Sequence, residues 1–191
     1  MAIEDRRARE RAARRQLITS TARTLAEREG WDAVTTRRLS TEIEYSQPVL
    51  YKHFSGMEDI VASVAVQGFA ELGDVLSSAR SGAVDGRDAV ARVAHAFIGF
   101  AHDNPVLFDA MFIRATTLRF AADDTPTELT TAFDELRAAV DMVAGGRDPD
   151  TLTEVVWAAL HGLVTLDRSG RLRPDHRTAR IDLLITCIVA R

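Results

Sequence analysis

Three residues, Glu44-Tyr45-Ser46, separate two short segments that both carry helical periodicity. Helices joined by so short a link are predicted to cross steeply, the geometry of a helix-turn-helix. The first, over about 36–43, would bury Leu39 and Ile43. The second, over about 47–53, would bury Val49 or Leu50 together with Phe54. Ser46 is placed to cap the second helix through an orphan N–H of its first turn. Pro48 falls in that first turn, where a missing N–H costs little. The outward positions are then Gln47, Pro48, Tyr51, Lys52 and His53. They make a short element with hydrogen-bonding tips and one cation, of a size that fits a DNA major groove.

The remainder repeats at three and four residues rather than two, so the fold class is all-α, with about nine helices. Prolines at 48, 105, 126, 149 and 174 each stand beside an expected helix start. Asp148-Pro149-Asp150 is the clearest, with a cap, a proline at the first helical position and a carboxylate facing the dipole. The expected helices run over about 5–29, 36–43, 47–53, 57–80, 86–102, 105–114, 127–143, 149–168 and 175 to the end. Leu17, Ile18, Ala22 and Leu25 form the inner face of the first.

Composition narrows the function classes. The lone cysteine, Cys187, excludes an intrachain disulfide and a CxxC site. No uncharged apolar run approaches the ~18 residues of a membrane span, and the first residues are charged rather than apolar as in a secretory signal. A soluble, cytoplasmic protein without a membrane partner is expected. The net charge of −4 is uneven: residues 1–60 hold 11 basic and 10 acidic side chains, residues 61–191 hold 13 and 18. Six arginines fall in the first fifteen residues, against Glu4, Asp5 and Glu10, which favours an anionic partner at that end.

The stretch from Gly30-Trp31 through Ile60 resembles the DNA-binding domain of TetR-type transcriptional regulators. The likeness lies in the glycine and aromatic after the first helix, Thr35-Thr36-Arg37, Leu39, Ser46, the Leu50-Tyr51-x-His53-Phe54 run and Glu58. Four positions depart from the family pattern. Ile43-Glu44 stands where a small residue and glycine are usual, and a non-glycine residue in the left-handed region costs about 1 kcal/mol. Met57 replaces a usual lysine, and Pro48 a common glycine. Farther along, Trp157-x-x-x-His161-Gly162, Leu163, Gly170-Arg171-Leu172 and Asn104-Pro105-x-Leu107-Phe108 resemble the regulatory domain named for its Trp-His-Gly motif.

The resemblance implies a three-helix head, residues 1–56, that binds a double-stranded DNA operator through Thr36, Arg37, Ser46, Gln47, Pro48, Tyr51, Lys52 and His53. Tyr51 and His53 would meet the backbone, and Gln47 and Lys52 base edges or adjacent phosphates. Residues 57–191 would bind a small-molecule effector and form a homodimer, repression being the family default, with the fourth helix coupling the two parts.

Phe97, Phe100, Phe108, Phe112 and Phe120, with Met111 among them, are concentrated between residues 97 and 120. Together with Met142, Trp157 and His161 they are the candidate lining of an apolar cavity for a hydrophobic or aromatic effector. The eighth and ninth helices are apolar on more than one side, so Val156, Leu160, Leu163, Val164, Leu184 and Ile188 are the candidate dimer interface. His95 and His102 lack metal-ligand spacing with Asp88, Asp103 and Asp109, and no metal or cofactor is expected. One alternative is an all-α enzyme using His161 with Asp167 or Glu154, but no nucleophile–base pair or phosphate loop accompanies them. Another is a dimeric helical protein with a vestigial head.

Overall fold

A computed structural model describes residues 2–114, 116–120 and 122–189, with no statement on the side chains of residues 2 and 3. Among the described residues there are nine α-helices and no strand: α1 (Ala2–Glu29), α2 (Thr36–Glu42), α3 (Gln47–Leu50), α4 (Met57–Ser81), α5 (Gly86–Asp103), α6 (Pro105–Phe108), α7 (Thr127–Asp141), α8 (Pro149–Arg168) and α9 (Arg177–Val189). The expected end of α9 past residue 189 lies outside the described residues. The chain packs as two units, Met1–Gly68 with Pro105–Thr125, and Phe69–Asn104 with Pro126–Arg191. The segment 105–125, expected with the regulatory part, thus packs with the head.

In the first unit Ile18, Ala22, Leu25 and Ala26 of α1 meet a core completed by Leu39, Leu50, Phe54, Ile60, Val64, Leu107 and Phe108, all buried. Leu17 is exposed instead, because it sits about 100° around the helix from Ile18. Trp31, in a single 3₁₀ turn after Gly30, explains why 105–125 joins this unit. Its indole N–H donates to the Val106 carbonyl at 3.0 Å, and Arg114 reaches Asp32 at 2.8 Å. After α6 the backbone widens into a π turn over Asp109–Ile113 rather than continuing as α-helix to Arg114. That turn brings Met111 onto Gly68 of α4 so closely that a Cβ there would lie 2.6 Å from the Met111 sulfur.

The second unit is built around α5, which packs on α7, α8 and α9. Val90, Val93, Ala94, Phe97 and Ala101 of α5 are buried, as are Leu129, Leu136 and Val140 of α7. Val156, Leu160, Val164 and Ile188 are buried too, within the single chain. These four, expected at a dimer interface, are core residues: α8 and α9 turn their main apolar stripes inward. Of the other two, Leu163 and Leu184 are half-buried. The apolar side chains left outside are Val155, Leu166 and Leu183, the last 65% exposed.

By length and composition α4 could cross a bilayer, with a window of mean hydropathy 1.3, but 56% of that window is buried inside the fold. Its apolar surface serves as core.

Helix ends follow the capping chemistry in most places. Thr35, Asp85 and Asp148 each accept a backbone N–H of the first turn, at 3.1, 2.8 and 2.8 Å. Ser46 does not: its side chain makes no cap bond. The α2–α3 turn has the strain expected from its sequence. Glu44 is left-handed at φ 56°. Its N–H bonds Thr41 at 3.3 Å and that of Tyr45 bonds Ser40 at 2.9 Å, a Schellman closure that normally uses glycine. Glu44→Gly should therefore raise the unfolding free energy of the full chain by about 1 kcal/mol in urea titrations. No gain would show that the turn holds Glu44 without strain.

Candidate nucleic-acid interface

The α3 helix is a single turn, Gln47–Leu50, followed by tight turns through His53 rather than a continuous helix. Lys52 N–H bonds the Val49 carbonyl at 3.2 Å and His53 N–H that of Leu50 at 2.9 Å. So short a helix does not sustain itself; burial of Leu50 and Phe54 holds it in place. The result presents Ser46, Gln47, Pro48, Tyr51 and Lys52 to solvent on one short element. Arg37 at the start of α2 is exposed and Thr36 half-buried.

Beside them, Arg28 and Arg38 are engaged with Glu29 and Glu42 at 2.7–3.2 Å. Hydrogen bonds from Arg38 and Arg28 hold the Glu42 carboxyl below its ordinary value. These exposed pairs add little stability, but they commit Arg38 to the α1–α2 face and leave Arg37 outside the network.

His53 differs from expectation. It is half-buried, and its Nδ1 is sealed without a hydrogen-bond partner. Burial, then the charges of Arg11, Arg14, Arg15 and Lys52, push its pKa down. Arg15 donates to the His53 carbonyl, lies 4.1 Å over the Phe54 ring and sits 3.8 Å from Asp59. The role of Arg15 is not marked by any local motif; it appears only once α1 is packed across the end of α3.

The nine aromatic and apolar residues expected around an effector divide between the two units. Phe108, Met111, Phe112 and Phe120 belong to the first, Phe97, Phe100, Met142, Trp157 and His161 to the second. The Phe108 and Phe112 rings meet at a 4.9 Å centroid distance, tilted by 50° to each other. Phe120, in irregular chain, is 45% exposed. Met142 is 57% exposed, because the end of α7 sets its Cβ and carbonyl oxygen rather than its thioether against Gly86. Trp157 meets Phe133 edge-on at 6.3 Å, a partner that sequence reading passed over although it lies among the inward positions of α7. His161 is half-buried and burial lowers its pKa. The second unit also has a groove of about 370 Å³, counting space open to solvent. Ile98, Leu163 and Val164 supply its apolar wall, and His102, Asp167, Arg168, Arg177 and Arg180 its rim. Among the described residues no group of three His, Cys, Asp or Glu side chains is arranged to hold a metal.

Comparison with known proteins decides the assignment. A family model described as bacterial regulatory proteins, tetR family, matches residues 18–64, and one described as tetracyclin repressor-like, C-terminal domain, matches residues 90–188. The chain belongs to the TetR family. The second match contains the Trp157, His161 and Gly162 motif. An uncharacterized HTH-type transcriptional regulator of Mycobacterium tuberculosis is 32% identical over 162 residues, 82% of this chain and 71% of that one. Two solved structures share the fold. A protein of unknown function from Rhodococcus sp. RHA1 superposes with a TM-score of 0.75 at 22% identity, covering 92% of this chain and 93% of its own. The transcriptional regulator FadR of Bacillus subtilis, in complex with stearoyl-CoA, superposes with a TM-score of 0.66 at 11% identity, covering 92% and 97%. This TetR-family chain is therefore a DNA-binding transcriptional regulator and not an enzyme.

Both lowered histidines make the stability of this regulator pH-dependent. A histidine whose folded pKa lies below its unfolded value of 6.5 binds protons more readily when unfolded. Its contribution is complete above pH 6.5 and is lost as pH falls below it. Urea midpoints of the parent should drop between pH 7.5 and pH 5.5, and those of a His53→Gln, His161→Gln double variant should drop less. Equal slopes would contradict the assigned burial.

Proposed function

We propose that this chain is a ligand-responsive repressor that binds a near-palindromic operator as a cytoplasmic homodimer and leaves it when an apolar effector binds. DNA binding is assigned to residues 1–56, and effector binding and dimerisation to residues 57–191. The observation that carries the reading is the exposed set Gln47, Pro48, Tyr51 and Lys52 on a one-turn helix, inside the stretch matched by the family's DNA-binding model. Thr36, Arg37 and Ser46 flank it, and His53 supports it from a half-buried place.

A second copy is the proposed cover for Val155, Leu166 and Leu183. Gly162 has no atom within 4 Å of where its Cβ would lie, so the outer side of α8 admits close approach. The effector is proposed to face Trp157 and His161. FadR of Bacillus subtilis was solved with stearoyl-CoA, a ligand with a long apolar chain, and an apolar or aromatic body is proposed for the effector here. Helix α4 has residues in both units, and a ligand-induced shift in it is the proposed coupling, worth about 1–3 kcal/mol.

The DNA reading is tested by titrating the full chain with DNA from upstream of its own gene at several salt concentrations. Released counterions should make the affinity fall steeply with salt. Lys52→Ala should cost about 1–3 kcal/mol if the lysine reads a base, or reduce the salt slope by about one unit per head if it holds a phosphate. No salt dependence, or no effect of Lys52→Ala and Tyr51→Ala combined, would overturn it. For assembly, Leu183→Glu should convert a dimer into a monomer in sedimentation at micromolar concentration; a parent that sediments as a monomer would refute the homodimer.

A further inference from the structure

The six arginines near the start of α1 lie outside the helix-turn-helix, yet the fold carries some of them to it. Arg15 is the anchor: its bond to the His53 carbonyl, its place over Phe54 and its approach to Asp59 fasten α1 beside the end of α3. Arg11 is four residues before Arg15, hence one turn away on the same face, and Arg14 is adjacent to it. Both are exposed.

The nearby carboxylates are engaged elsewhere. Asp59 accepts from the Ser55 backbone at 2.9 Å and lies against Arg15, and Glu10 pairs with Arg6 at 3.6 Å. Among the described residues, Arg11, Arg14 and Lys52 have no carboxylate partner. All three act with Arg15 on the His53 imidazole, which places four cations around one side chain of an otherwise acidic protein. Such a cluster is self-repelling until an anion enters it. Arg11, Arg14 and Lys52 are all exposed, so a small anion would gain few contacts, whereas a polyanion lying across the surface would meet several cations at once. Arg7, one further turn along from Arg11, extends the row in the same direction.

We propose that Arg11 and Arg14 of α1 join Lys52 in a binding site for the phosphate backbone of duplex DNA, so that the head grips its operator with α1 as well as with α3. The site rests on the DNA-binding reading above. Its contacts position the head and carry no sequence information of their own.

The test compares three forms of the full chain on two duplexes, the DNA upstream of its gene and a random sequence of equal length, by fluorescence anisotropy across a salt series. Arg11→Gln with Arg14→Gln should reduce the slope of log affinity against log salt by about 1.8 per head, at ~0.9 for each phosphate lost. Affinity should fall on both duplexes by a similar factor, with the preference between them retained. The charge-matched control is Arg6→Gln with Arg9→Gln, on other faces of α1, where Arg6 pairs with Glu10 and Arg9 bonds the Asp5 carbonyl. It should change the slope little. An unchanged slope in the Arg11, Arg14 variant, while Lys52→Ala still weakens binding, would overturn the site and leave the DNA reading standing. An equal loss in the control would also overturn it, reducing the effect to net charge. A parent that binds neither duplex would remove the DNA reading itself. Thermal unfolding of each variant beside the parent separates lost contacts from a damaged fold.

Discussion

The burial of Leu50 and Phe54 is the interaction on which the exposed surface of α3 depends. A one-turn helix has almost no stability of its own, and Ser46 does not cap this one. What fixes α3 is the pair of apolar side chains it sends inward, both within 2% of full burial. The Arg15 guanidinium over Phe54 closes the same seam from the α1 side. With those anchors set, Gln47, Pro48, Tyr51 and Lys52 have no direction left but outward. The strained Glu44 turn follows from the same requirement, because the four residues 43–46 must redirect the chain and still deliver Leu50 to the core.

Much of this was legible in the sequence, for identifiable reasons. The pairing of two short helices across a brief link followed from the length of that link, and the cap at Asp148 from side chains acting within one turn. The left-handed Glu44 followed from its place at the end of a helix. Local chemistry of this kind is written in consecutive residues. Packing between distant segments is of another kind. Apolar residues on α8 were read as a partner surface, yet Val156, Leu160 and Val164 are buried within their own chain, Leu163 is half-buried, and Val155 and Leu166 are exposed. Periodicity reports that a helix has an apolar face, not which neighbour covers it. The aromatic cluster shows the same limit of local patterning: its members are near in sequence, but the packing boundary runs between Phe100 and Phe108. That boundary is set by Trp31, whose bond to Val106 spans 75 residues and leaves no local trace.

The two units therefore carry different kinds of information. In the first, charged and polar groups surround a small core and face outward, suited to a polyanion whose recognition combines positioning with base readout. In the second, α5 gathers apolar faces from three helices into one core, with His161 half-buried and a groove rimmed by His102, Asp167, Arg168, Arg177 and Arg180. The charged surface of the first unit suits a polyanion met in water, whereas the second unit is held together by exclusion of water from apolar faces.

The most direct measurement is the sequence content of DNA that the full chain selects from a random pool. A two-fold pair of helix-turn-helix heads must retain an inverted repeat, with half-site centres about one helical turn, roughly 34–36 Å, apart or a small multiple of that. Recovery of such a repeat is the predicted result. Recovery of unrelated sequences with no shared motif, or of a single half-site without its mate, would contradict the account.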